Sequence, residues 1–159
     1  DVWGHRNILD ILSPGDSCGE VFAASMGSVL NVSVVAEADC QVLLLNINRI
    51  LSACSNTCSH HAQLIRNLVN VIAGKSLRMH DKINHISKRS TKEKLLSYLS
   101  SEADRCGSLS FTIPYNRQQL ADYLCVERAA MSVALSQMQK DGILQYSKNK
   151  FTLFTYSSD

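Results

Sequence analysis

The sequence predicts an α+β fold in three parts: a β-rich N-terminal region, one long helix, and a small helical domain closed by a β-hairpin. Three observations predict it. Apolar and β-branched residues alternate in the first third of the chain. Apolar residues then recur three, four or seven apart, with no proline, over about 30 residues. Two short helical patterns follow, joined by a tight turn and succeeded by two strand-like runs. Hydrophobic residues make up 45% of the 159 and charged residues 19%, the balance of a chain that buries a core rather than of a disordered tail.

In the N-terminal region, Ser13-Pro14-Gly15-Asp16 is a strong turn signal. Downstream, Asn31-Val32-Ser33-Val34-Val35-Ala36 and Cys40-Gln41-Val42-Leu43-Leu44-Leu45 flank Glu37-Ala38-Asp39 and predict a hairpin with one buried face. A β-domain of about 50 residues buries little surface and leaves strand edges unpaired, so further strands are expected to belong before it. This first domain is expected over residues 1–57.

Residues 58–88 are expected to form one helix, roughly 45 Å long at 1.5 Å per residue. Ile65, Leu68, Ile72, Met79, Ile83 and Ile86 form its apolar stripe. A helix of this length projects beyond a small domain, and a second copy in a two-stranded coiled coil would cover the stripe. Packing against its own domain is the alternative. Lys75 and Lys82 fall on or beside the seam, Gly74 weakens it, and His80 and His85 are expected on the surface. The break near Lys88-Arg89 is the expected hinge.

Residues 89–159 are expected to form the last domain. Ser90-Thr91-Lys92-Glu93 matches a capping box, and Leu95, Leu96 and Leu99 give the helix after it a buried side, with Gly107 as its left-handed cap. Leu109 to Ile113 reads as a short strand stopped by Pro114. Asn116 caps a helix from Arg117 to Leu124. After the turn Leu124-Cys125-Val126, a second helix begins near Glu127, with Ala130, Met131, Ala134, Leu135 and Met138 as its core face, and ends at Gly142. Two short helices joined this tightly describe a helix-turn-helix. Ile143 to Tyr146 and Phe151 to Phe154, around Ser147-Lys148-Asn149-Lys150, form the wing.

Charge agrees with this layout. Residues 1–74 carry three Arg and six acids, whereas residues 75–159 carry thirteen Lys or Arg and eight acids. A basic C-terminal half fits double-stranded DNA, although a solvated surface would give the same balance. The second helix of the pair fits the major groove and exposes Glu127, Arg128, Ala129, Ser132 and Val133. Arg128 is the candidate for base readout, because a guanidinium bonds guanine O6 and N7 together. Arg117 at the start of the first helix, with Gln118 beside it, stands where a phosphate clamp belongs. Lys148 and Lys150 at the wing tip are candidate phosphate contacts.

These residues resemble the Crp/Fnr superfamily of bacterial transcription regulators over essentially the whole chain. Pro14-Gly15-Asp16 followed by Gly19-Glu20 looks like the end of that family's cyclic-nucleotide-type β-roll, and the long helix looks like its dimerisation helix. Asn116-Arg117-Gln118-Gln119-Leu120-Ala121-Asp122-Tyr123-Leu124 looks like its DNA-binding signature. The resemblance implies a partial β-roll that senses an effector, with Gly19 and Glu20 as candidate effector-binding residues. It further implies a homodimer reading a near-palindromic operator, with recognition helices about 34 Å apart; RNA polymerase is the expected protein partner. Members that bind cyclic AMP follow the Gly-Glu pair with an Arg-Ser pair that holds the phosphate. Leu30-Asn31 stands here instead, so no tight cyclic AMP binding is expected and Glu20 is read as structural. Cys125 stands where many relatives have Gly, and Ala129 and Val133 where they often carry Glu and Arg, so an operator sequence does not transfer. No cofactor is expected, and the effector is not named by the sequence.

Two other readings stay open. Cys54, Cys58 and His61 are spaced to share one helical face, with His60 adjacent, and could form a metal, haem or redox sensor, although free cysteines are more commonly buried small hydrophobes. A dimerisation or interaction module with weak DNA binding is the other. No enzyme is expected, since the seven glycines make no phosphate loop and no carboxylates are paired for acid–base work. The six cysteines are too scattered for a secreted disulfide scaffold, so a reducing cytoplasm is expected; Asp1-Val2-Trp3 does not read as the start of a signal peptide and no run of eighteen apolar residues occurs, so no membrane partner is expected.

Overall fold

The computed structural model describes residues 7–25, 27–52 and 59–154. They group into two compact units, Leu12–Leu77 and the remainder, in which residues 7–11 join residues 78–154.

In the first unit, the expected turn forms at Ser13: the Asp16 amide donates to the Ser13 carbonyl at 2.9 Å, and the Ser13 amide to Asp16 Oδ2 at 2.8 Å. Two short helices follow, α1 (Glu20–Ala24) and α2 (Ile47–Leu51), the second capped by the Asn46 side chain on the Arg49 amide. The predicted hairpin is absent: no strand pairing occurs among the described residues before Ser110. Val34, Val35 and Val42 to Leu45 are exposed instead, Leu44 at 91%. The reason is physical. A two-stranded hairpin is marginal without a layer over its apolar face.

The long helix does form. α3 spans Ser59–Ile86, 28 residues, and runs through Gly74 without interruption. Its residues up to Leu77 group with the first unit and those from Arg78 with the second.

The second unit holds nearly the whole core. Every buried hydrophobic residue among those described, Ile47 excepted, lies between Leu95 and Phe151. α4 (Thr91–Cys106) opens with the full reciprocal capping box between Ser90 and Glu93 and closes at Gly107, φ 60°. β1 (Ser110–Thr112), β2 (Leu144–Ser147) and β3 (Lys150–Leu153) form an antiparallel sheet in the order β1-β3-β2. The hairpin turn is tighter than the sequence suggests: Ser147 pairs with Lys150, leaving only Lys148 and Asn149 in the loop. Between β1 and β2 lie α5 (Arg117–Leu124) and α6 (Arg128–Lys140).

Two residues of α3 sit differently from expectation. Lys82 and His85 are buried rather than placed at a seam or on the surface. Lys82 Nζ donates to Asn7 Oδ1 at 3.0 Å and to the Ile8 carbonyl, and lies 4.8 Å from the Tyr123 ring centre. His85 Nδ1 is 2.9 Å from Ser97 Oγ, and its ring meets Tyr98 edge-on. The end of α3 therefore touches α4 through His85. Helical phase explains the difference, since both residues lie off the exposed stripe and turn toward the tyrosines.

Candidate nucleic-acid interface

Local sequence sets α5. The Asn116 side chain accepts from the Gln119 amide at 2.9 Å, and Gln119 Oε1 accepts from the Asn116 amide at 2.8 Å. Both orphan donors are thereby satisfied. Leu120, Ala121, Tyr123 and Leu124 are buried on its inner side. Cys125 then takes a left-handed conformation, φ 53° and ψ 53°, and its amide closes on the Ala121 carbonyl. That single residue reverses the chain, although a side chain there costs about 1 kcal/mol relative to glycine.

α6 buries one side and exposes the rest. Met131, Leu135 and Met138 are buried, while Glu127, Arg128, Ala129, Ser132 and Val133 are exposed, Val133 at 70%. Ala130, expected in the core, is exposed as well, because five residues before Leu135 places it about 140° round the helix. Ser132 Oγ donates to the Arg128 carbonyl at 3.0 Å, so its hydroxyl proton is already engaged. Glu127 begins the helix without a side-chain cap bond, which leaves its first amides open.

The wing is held at its tip. The Ile113 amide donates to the Asn149 carbonyl at 3.0 Å, and Asn149 Nδ2 donates to the Ile113 carbonyl at 3.1 Å. Lys148, φ 53°, and Lys150 flank this anchor and are both exposed. Gln118 is exposed too, its amide bonded to Asp122 Oδ1 at 2.8 Å.

Arg117 is not the free clamp the sequence suggests. It is half-buried, its guanidinium carbon 4.5 Å from the Tyr146 ring centre and 5.3 Å from that of Phe151. Burial pushes the guanidinium down from its ordinary value, partly opposed by Tyr146. The wing aromatics capture it because a weakly hydrated planar cation stacks well on ring faces.

Residues 93–154 match the Crp-like helix-turn-helix domain. Over these residues the chain carries a Crp-like helix-turn-helix domain. Among solved structures, FixK2 from Bradyrhizobium japonicum aligns with 59% of this chain at 24% identity and a TM-score of 0.51, a likeness of fold. The aligned part is 48% of FixK2's own length. A protein from Eubacterium rectale, described as a transcriptional regulator of the crp/fnr family, aligns with 60% of this chain and 44% of its own at 20% identity, with a TM-score of 0.43. No curated protein matches the chain.

Outside the Crp-like domain, Gly19 is left-handed at φ 81° and precedes α1, whose Glu20 is buried. Glu20 Oε1 lies 2.7 Å from Lys75 Nζ, and Ser17 Oγ donates to Oε2 at 3.3 Å. Burial pushes this carboxyl up, but the Lys75 ammonium and these hydrogen bonds outweigh it and hold Glu20 below its ordinary value. Leu30 and Asn31 are exposed and uncharged.

Along α3, Ile65, Leu68, Ile72 and Ile86 are half-buried, and Met79 and Ile83 are exposed at 43% and 53%. Val69, 56% exposed, and Ser76 complete a four-three spacing from Ile65 to Ile86 that the sequence reading missed. The heptad count alone could have found them. Of the metal-type cluster, Cys54 and Cys58 lie outside the described residues. His61 Nε2 is 2.7 Å from the Ile50 carbonyl. No trio of metal-type ligands gathers among the described residues, and no helix there is long and apolar enough to cross a membrane.

Proposed function

We propose that this chain is a sequence-specific transcription regulator that binds duplex DNA as a homodimer in the cytoplasm. The observation that carries this reading is the exposure along α6: Met131, Leu135 and Met138 anchor it to the core, while Ala129, Ser132 and Val133 stand exposed around it and Arg128 is exposed at its first turn. In the major groove, Arg128 reads a guanine, and Ala129 and Val133 offer apolar contact to thymine methyls. Glu127 and Ser132 border them. Gln118 at the α5 N-terminus and Lys148 and Lys150 on the wing fall on phosphates.

The four-three stripe from Ile65 to Ile86 is the seam for a second copy, and dimerisation sets two recognition helices about one DNA turn apart. RNA polymerase is the protein partner of such a regulator. The effector enters through the region around Gly19 and Glu20 and selects between two dimer arrangements. It is not cyclic AMP: Glu20 is engaged with Lys75, and Leu30-Asn31 supplies no cation for a phosphate.

Selection of duplexes from a random pool, followed by sequencing, tests the reading. The expected product is a two-fold symmetric motif, and Arg128→Ala should lose about 1–3 kcal/mol of binding and relax one base position in each half-site. Sequence-blind binding that Arg128→Ala leaves unchanged would overturn it, and a response to added cyclic AMP would overturn the effector assignment.

A further inference from the structure

Phe111, Phe151 and Tyr146 sit opposite one another on three successive strands of the sheet, β1, β3 and β2. Phe111 and Phe151 stack with ring centres 6.3 Å apart, and Phe151 and Tyr146 at 6.1 Å. Cross-strand partners share a face, so the three rings form one aromatic row across the sheet. Arg117, the first residue of α5, lies over the two rings at the wing end of that row. Its Nη2 is buried with no hydrogen-bond partner among the described residues. Tyr146 Oη in turn lies 3.4 Å from Ser136 Oγ of α6.

From this arrangement we infer that Arg117 is the wing-positioning residue, acting on DNA through the hairpin that carries Lys148 and Lys150 rather than through a phosphate of its own. The inference rests on the DNA-binding reading above and deepens it. A residue whose task was to grip a phosphate would keep its guanidinium edge in solvent; here one edge is buried and the plane is spent on two rings. The stack joins the start of α5 to both strands of the wing, and Tyr146 carries the link on to α6. Wing and recognition helix are thus held in one register by a single cation. An aliphatic residue could fill part of the space but could not direct N–H groups at ring faces.

The test uses the full chain and two readouts. The first needs no DNA: hydrogen exchange of the wing amides, residues 144–153, in Arg117→Ala and in Tyr146→Leu, with α4 amides as the internal reference. Both variants should exchange about tenfold faster in the wing while α4 keeps its protection. Unchanged wing exchange in both would overturn the inference. Loss of protection throughout Arg117→Ala would report unfolding, and Tyr146→Leu then decides.

The second readout is duplex affinity against salt for Arg117→Ala, for Lys148→Ala with Lys150→Ala, and for all three together. A positioning role predicts a salt slope shallower by about 2 for Arg117→Ala, and no further loss when it is added to the lysine pair. A slope shallower by about 1, additive with the lysine pair, would make Arg117 a direct phosphate contact and overturn the inference. If the parent chain bound no duplex, the DNA-binding reading would fail, and the exchange experiment would still decide whether Arg117 holds the wing.

Discussion

Ile113 and Asn149 are joined by two hydrogen bonds, one through the Asn149 carbonyl and one through its side-chain amide. This pair fastens the wing tip to the chain segment that leads into α5. Replacing Asn149 with Ala removes the second bond and leaves a part-buried carbonyl unmet, a loss of about 1 kcal/mol. Chemical denaturation should record a lower midpoint with an unchanged slope. An unaltered midpoint would mean that water replaces the amide without cost.

Cys125 at φ 53° holds the turn of the helix-turn-helix in a conformation that suits glycine. Cys125→Gly should therefore stabilise the Crp-like domain by about 0.5–1 kcal/mol, the relief of strain exceeding the added entropy of the unfolded chain. Thermal melting would show it as a rise of a few degrees, on the order of 2–6 °C. A fall would mean that the cysteine side chain contributes more than its backbone costs.

His85 gives the stability a pH dependence. Burial pushes its imidazole below the ordinary 6.5, with Lys88 adding to the effect and Asp81 and Glu102 opposing it. Between the folded and unfolded values the unfolded chain binds more protons. The contribution is thus complete above about 6.5 and is lost as pH falls through the folded value. Denaturant midpoints at pH 7.5 and pH 5 should fall further apart in the parent chain than in His85→Gln. An equal separation would show that other groups set the dependence.

Met79 and Ile83 stand exposed on the same stripe of α3 as Ile65, Ile72 and Ile86. Ile83→Glu places a charge in the proposed seam, where no partner neutralises it. Sedimentation equilibrium should then give a monomer at concentrations where the parent chain is a dimer. The same mass for both chains would remove this stripe from the dimer assignment.

The legibility of the fold followed the range of the interactions. The capping box of Ser90 with Glu93 and the cap at Asn116 were readable because each is complete within four residues, and the structure adds the return bond from Gln119. The limits of α5 and the buried side of α4 followed from the same local rules. The hairpin around Glu37 was misread, since its alternation of apolar residues is a demand for a covering layer and does not supply one. On α6, Ala129 and Val133 are exposed as their spacing from Leu135 required, whereas Arg128, seven residues before Leu135, is exposed because it begins the helix. Arg117 does not stand free, because nothing within four residues of it announces the rings of Tyr146 and Phe151.

What the sequence by itself determined, then, is the order of the elements from the long helix onward, the caps at Ser90 and Asn116, and the signature of a Crp-like helix-turn-helix. Each of these is settled by neighbours along the chain. The tertiary structure alone decided that Lys82 and His85 turn inward among tyrosines, that Glu20 pairs with Lys75, and that Arg117 lies beneath the wing. A side chain's burial depends on which distant surface arrives to cover it, and that surface is assembled only when the chain folds.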